Sequence, residues 1–295
     1  MLKAHRVSIQ FGGLRALSGF ELEIRQGDLQ GLIGPNGAGK TTAFNVLTGV
    51  YRPTSGDVFV GHQRVNGKLP HQINRLGLAR TFQNIRLFKA LTALDNVKVA
   101  CLAESHPWFR AQTIEHLRAG GGVANVAGNL LDAANNYVDW WRALFLTPGF
   151  QREEKEITRH AEELLAVMGL SHRRDEEAKN LPYGEQRRLE IARALGTRPK
   201  VLLLDEPAAG MNTKEKADLM VLIRKLRDQF GLGILVIEHD MKLVMGICEK
   251  ITVLDHGETI AVGSPEEVRS NPKVVEAYLG EAHPASGADR AGVAP

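Results

Sequence analysis

Leu29-Gln-Gly-Leu-Ile33-Gly34-Pro35-Asn36-Gly37-Ala38-Gly39-Lys40-Thr41-Thr42 is the stretch that decides the reading of this chain. Leu29–Ile33 has the pattern of a short strand. It runs into a glycine-rich turn, and a helical pattern follows from Lys40 to Leu47, closed by Gly49. Gly34, Gly39, Lys40 and Thr41 fill every fixed position of GxxxxGK[ST], in the strand–loop–helix context that motif requires. Glycines allow backbone N–H groups to turn inward around phosphate oxygens, where side chains would collide. The following helix aims its positive end at the same oxygens. In such a loop Lys40 sets an ammonium on the β- and γ-phosphates and the Thr41 hydroxyl ligates Mg²⁺. The motif by itself predicts a nucleoside triphosphate site, and kinases, GTPases and motor ATPases all satisfy it.

Further along, four apolar residues, Val201–Leu204, end in Asp205-Glu206. In a parallel sheet the strand end is where ligands sit. Asp205 is positioned to hold the Mg²⁺ shell, and Glu206, one residue on, to polarise the attacking water. Helix Lys214–Phe230 and strand Ile234–Ile237 follow, the latter ending in Glu238-His239-Asp240. Strands alternating with helices predict an α/β fold with a mostly parallel core sheet. Phe20, Leu22 and Ile24 alternate with charged residues, which predicts an antiparallel β flank, and Asp57–Val60 reads as another short strand.

The 295 residues are 43% hydrophobic and 24% charged, a soluble globular balance, and their length suggests about two domains. Lys and Arg number 37 against 34 Asp and Glu, so the formal charge of +3 neither demands nor excludes a nucleic-acid partner. No apolar run approaches the ~20 residues of a membrane-spanning helix. The N-terminus carries no apolar stretch of a secretory signal. Cys101 and Cys248 lack metal-ligand spacing and read as buried thiols of a reducing compartment. Glycine, 30 residues in all, exceeds its usual share.

Three more elements narrow the class. Gln83 lies in Arg80-Thr-Phe-Gln83-Asn84. Leu181-Pro182-Tyr183-Gly184-Glu185-Gln186-Arg-Arg opens a helix before the acidic strand. His239 ends the strand after it. In that order the chain resembles the ATP-binding subunits of ABC transporters over nearly its whole length. The resemblance implies a P-loop ATPase domain over 3–280. A core from 1–90 and 196–260 would enclose a helical subdomain of about 91–195 with an insert at 103–157, and 281–295 would form a flexible tail. It implies ATP and Mg²⁺, with Thr41, Gln83 and Asp205 around the metal and Glu206 as the catalytic carboxylate. His239 would contact the γ-phosphate. Gln83 would touch Mg²⁺ or the water and sense the membrane partner, near Asn84–Phe88. Residues 181–186 would be the signature segment, reaching the γ-phosphate held by another subunit. Phe11 would stack on adenine, although a core phenylalanine fits that position nearly as well.

Two positions depart from the family pattern. Pro182 stands where the signature has a serine, and Asn212 where an aspartate is usual. Backbone capture of phosphate at Gly184 stays available, without the serine contact. The strings PYGEQRRLEIARAL, DEPAAGMN and VGSPEEV…NPKVVEAYLGE resemble the branched-chain amino acid importer group. Urea-uptake and lipopolysaccharide-export ATPases are close relatives and stay open. The implied partners are two transmembrane permeases, a second ATPase of the family or a second copy, and indirectly a periplasmic binding protein, at the cytoplasmic face of the inner membrane. No nucleic acid is expected. An ABC ATPase acting on nucleic acid usually has two ATPase units or a long coiled coil. A P-loop kinase would lack the signature segment and His239.

Tyr137, Trp140, Trp141, Leu144 and Phe145 share one helical face. They read as packing on their own domain, with a docking stripe as the alternative. Thr147-Pro-Gly149 is predicted to end that helix, and a second is predicted over Glu153–Met168 and stopped by Gly169. A basic helix is predicted over 185–195. His62, His71, His106, His116, His160 and His172 have no ligand spacing and read as surface.

Overall fold

The computed structural model describes residues 1–105 and 148–279. The aromatic stripe at 137–145, most of the 103–157 insert, the tail 281–295, His106 and His116 lie outside the described residues.

Two sheets organise the chain. One is antiparallel, in the order β2 (Leu14–Ile24), β1 (Leu2–Phe11), β4 (Ser55–Val60) and β5 (Gln63–Arg64). It is the predicted flank, and Phe20, Leu22 and Ile24 are its buried positions. The other has the order β10 (Glu258–Gly263), β9 (Lys250–Asp255), β3 (Leu29–Ile33), β8 (Gly233–Ile237), β7 (Val201–Asp205) and β6 (Leu78–Arg80). Every pairing from β9 to β6 is parallel, and β10 runs antiparallel at the edge.

The period of two along the central strands sorts side chains into two cores. Val201, Leu203, Leu235 and Ile237 face the antiparallel sheet and helix α1 (Lys40–Leu47), which contributes Ala43, Phe44, Val46 and Leu47. The α1 helix is therefore wedged between the two sheets. Leu202, Leu204, Ile234 and Val236 face the opposite way. They meet residues of α3 (Ala93–Ser105), α4 (Pro148–Val167), α5 (Tyr183–Gly196), α6 (Thr213–Phe230) and α7 (Met241–Ile247). Helix α2 (Pro70–Arg75) precedes β6, and α8 (Pro265–Ser270) and α9 (Pro272–Leu279) follow β10.

Three helix starts differ from expectation; α6 begins at Thr213, one residue before the predicted Lys214. Helix α4 already runs at Pro148, ahead of the predicted start at Glu153, so Pro148 and Gly149 lie within it. It ends before Gly169 (φ +69°), as predicted. Helix α5 begins at Tyr183, two residues before the predicted start. His160 is half-buried rather than on the surface, and desolvation lowers its pKa. Among the described residues no helix is long and apolar enough to cross a membrane.

Candidate nucleotide site

Four neighbouring parallel strands end on the same side, and each delivers a predicted residue there. Strand β3 ends into Gly34, β8 into Glu238-His239, β7 into Asp205-Glu206, and β6 into the loop carrying Gln83. In an open α/β sheet this carboxyl edge is the ligand crevice.

The loop after β3 has the backbone its glycines permit. Gly34 sits at φ +151°, and a Cβ there would lie 2.1 Å from the Leu254 carbonyl oxygen. Gly39, in the left-handed region at φ +99°, is the N-cap of α1, and no side chain caps that helix end. A helix start without a side-chain cap is suited to an anionic ligand. The Lys40 Nζ donates to the Gly34 carbonyl at 2.6 Å and the Pro35 carbonyl at 2.7 Å, so the ammonium lies over the loop. Pro35 and Ala38 are buried, Asn36, Gly37 and Thr41 are exposed, and Thr42 is half-buried. Residues 35–38 line a cavity of about 850 Å³ together with His256, Lys273 and Glu276.

The acids at the end of β7 have distinct surroundings. Asp205 is buried and its Oδ2 accepts from Arg80 Nη2 at 2.7 Å. Arg80 also donates to Asn45 Oδ1 at 2.7 Å, which ties Asp205 to α1. Glu206 is held at φ +45°, a costly backbone for a side chain of its kind. Its Oε2 accepts from Gln83 Nε2 at 2.9 Å and lies 3.9 Å from His239 Nδ1. The fold thus brings Gln83, Glu206 and His239 together. Behind them Glu238 is fully buried and accepts from the backbone N–H of Ala208 at 2.8 Å and of His239 at 3.2 Å. Burial pushes its carboxyl above the ordinary range. The donor set fits magnesium rather than an all-protein cage. Among the described residues no cluster of three His, Cys, Asp or Glu could hold a metal. Magnesium is commonly held by one or two carboxylates, water and substrate phosphates.

The signature segment opens α5, which packs on α3 and α4. Pro182 is its N-cap, at φ −54° and ψ 151°. Tyr183 is exposed, and Gly184 is buried against Glu215, whose Oε1 would lie 2.9 Å from a Cβ. Gln186 turns back to donate to the Leu181 carbonyl at 2.8 Å, and Glu185 pairs with Arg173 at 3.0 Å. Asn212 caps α6: its side chain accepts from Glu215 N at 3.0 Å, and the Glu215 carboxylate accepts from Asn212 N at 2.9 Å. Asparagine caps a helix as well as aspartate does, so the departure keeps the local structure. Phe11 is 45% exposed, which removes the core alternative. It stands edge-to-face with Tyr51, centroids 5.2 Å apart.

Sequence reasoning named neither Arg80, Glu238 and Tyr51 as site neighbours nor the buried pair Arg187–Glu190. Arg80 and Glu238 lie within motifs already quoted; the signal was a charge beside an apolar strand. The two cysteines are buried as expected, their thiols pushed up to about 11 for Cys101 and about 12 for Cys248.

A strand-end crevice with this loop, this acid pair and this signature helix defines an ATP-binding cassette. The chain belongs to the ABC transporter family, whose model matches residues 17–209, and a second model, the branched-chain amino acid ATP-binding cassette transporter, matches 258–284. It is 43% identical to the high-affinity branched-chain amino acid transport ATP-binding protein BraF of Pseudomonas aeruginosa, covering 96% of this chain and 98% of that one. It is 42% identical, over the same shares, to LivG of Escherichia coli K12, described in the same words. The crystal structure of the ADP conformation of MJ1267, an ATP-binding cassette of an ABC transporter, superposes with a TM-score of 0.72. It is 29% identical, over 95% of this chain and 98% of that one. The chain is thus a nucleotide-binding ATPase subunit of a transport system that works with membrane permeases.

Proposed function

We propose that this subunit hydrolyses ATP to drive uptake of branched-chain amino acids through a separate permease at the cytoplasmic face of the inner membrane. The observation that carries this reading is the 2.9 Å bond between Gln83 and Glu206, with His239 beside them, at the strand ends below the phosphate loop. The relatives' transport function and the carboxyl-terminal match support the choice of cargo. Lys40 and the loop N–H groups hold the phosphates, and Phe11 with Tyr51 offers an aromatic face for adenine. Thr41, Asp205 and Gln83 would hold magnesium, which when bound would supply positive charge against the phosphates. Glu206 takes the proton of the attacking water, and Gln83 and His239 orient it. Phosphoryl transfer leaves little covalent work for protein groups, so this positioning carries the rate.

Two such subunits, this one and a second ATPase of the family or a second copy, would sandwich two nucleotides. Residues 181–186 of each would complete the other's site through backbone N–H groups at the start of α5. Two permease subunits would move with this closure, and a periplasmic binding protein would deliver the solute. The division into a core (1–90 and 196–260) and a helical subdomain (91–195) belongs to the same reading.

Deleting the gene in its host and measuring uptake of radiolabelled leucine and lysine tests the cargo. Leucine uptake should fall to background, with lysine uptake intact. The native gene should restore it, and a Lys40→Ala gene should not. Intact leucine uptake with failed urea uptake or lipopolysaccharide export would contradict the reading.

A further inference from the structure

Arg187 lies on α5 one turn after Gly184 and is 1% exposed; Glu190, one turn further, is 2% exposed. Arg187 Nη1 bonds Glu190 Oε2 at 3.1 Å. The same guanidinium donates to two consecutive backbone carbonyls of the loop after β6. Nη1 reaches the Phe82 oxygen at 2.5 Å, and Nη2 reaches the Gln83 oxygen. Glu190 Oε1 in turn accepts from the Phe82 N–H at 3.4 Å and the Arg86 N–H at 3.2 Å. One ion pair on one helix face therefore grips residues 82–86 through four backbone groups. The Tyr183 hydroxyl, at the first residue of α5, lies 3.3 Å from Arg187 Nη2.

Such a pair is a poor way to gain stability. Two charges lose their hydration, and apolar side chains of similar volume commonly do as well. Burial raises the Glu190 carboxyl pKa, and Arg187 Nε finds no partner. What the pair provides is a rigid link. On its far side the Gln83 amide donates to Glu206 at 2.9 Å. The path from the signature helix to the Glu206 carboxylate thus passes through one arginine and one glutamine.

We propose that Arg187, braced by Glu190, is a positioning residue that fixes Gln83 against Glu206 and makes the start of α5 and the Gln83 loop move as one unit. Glu206 then has its amide partner in register only while α5 is seated, so a displacement of the signature helix switches hydrolysis off inside the same subunit. The inference rests on Gln83 and Glu206 forming the hydrolytic site, as proposed above.

The test is steady-state ATP turnover by the full-length chain carrying Arg187→Lys, in the native and the Gln83→Ala backgrounds. Lysine keeps the charge opposite Glu190, but one ammonium cannot replace a planar fork that serves two carbonyls. In the native background kcat should fall about tenfold with KM for ATP changed by less than about twofold. In the Gln83→Ala background the same substitution should change kcat by less than about twofold, since no amide is left to position. A double variant, Arg187→Met with Glu190→Leu, leaves neither charge unpaired and should show the same dependence on Gln83. Equal fold losses in both backgrounds, a loss confined to KM, or unchanged kcat would overturn the clamp. Gln83→Ala alone separates the two readings. Full turnover there sinks the site reading, whereas a slow Gln83→Ala with multiplying losses sinks only the clamp.

Discussion

The two ends of the cassette that face nucleotide are built on opposite plans. The crevice at the carboxyl ends of β3, β8, β7 and β6 is assembled from within. Parallel pairing alone sets Gly34, His239, Glu206 and the Gln83 loop side by side, and Gln83 and Glu206 already touch. The start of α5 is different. Its polar side chains are committed internally, Gln186 to the Leu181 carbonyl and Glu185 to Arg173. Its outward residues, Pro182 and Tyr183, leave backbone N–H groups as the offer to an anion. In the reading proposed above, the crevice has its own chemistry, while the helix start would act on a nucleotide that another subunit brings.

Restoring a hydroxyl where Pro182 stands sharpens this contrast most. Pro182→Ser should tighten ATP-dependent dimerisation by about tenfold, the worth of one hydrogen bond to a charged phosphate. Nucleotide binding by the monomer should stay unchanged. Sedimentation of the Pro182→Ser chain and the native chain, with and without ATP, reads the dimer constant directly. A weakened monomer site instead would mean that α5 helps build its own crevice.

A smaller effect belongs to the rim of the crevice. The Asp240 carboxylate caps α7 by accepting from Lys242 N at 3.0 Å and Leu243 N at 3.3 Å, and it pairs with Lys216 at 2.6 Å. Lys216, foremost, holds its carboxyl below the ordinary 3.8. A lowered value means that the contribution is complete above the ordinary value and is lost as pH falls through the lowered one. Asp240→Ala should therefore cost about 1 kcal/mol in urea unfolding at neutral pH, the pair being partly exposed. The difference from the native chain should shrink as pH falls below the ordinary 3.8 and through the lowered value. A difference that persists in acid would assign the loss to packing.

The parts legible in the sequence are those written locally. Leu29–Ile33, Lys40–Leu47 and Val201–Asp205 carry strand and helix periods of their own, and the residues that follow them inherit a position from the sheet. Strands β1, β5, β6, β9 and β10 and helices α2, α3, α7, α8 and α9 were missed. Their patterns are short or mixed, and pairing holds the strands and packing the helices, rather than propensity. The Arg80–Asp205 and Arg187–Phe82 bonds join residues 125 and 105 positions apart, so no local pattern announces them. The sequence predicts a basic helix over 185–195, and nothing in its pattern marks the face of Arg187 and Glu190 as interior. Only the packing of α5 on α3 and α4 shows that face to be interior. The exposure of Phe11 is likewise decided by the end of a β-ribbon and not by its neighbours in sequence.

The central claim is that the carboxylate after β7, held by Gln83 and flanked by His239, does the hydrolytic chemistry. Glu206→Gln keeps the size and one acceptor but cannot take a proton. Its ATP dissociation constant and its phosphate release should be measured on the same full-length sample. We expect affinity within about twofold of the native chain and turnover lower by about a thousandfold. Phosphate release at the native rate, with binding intact, would contradict the account.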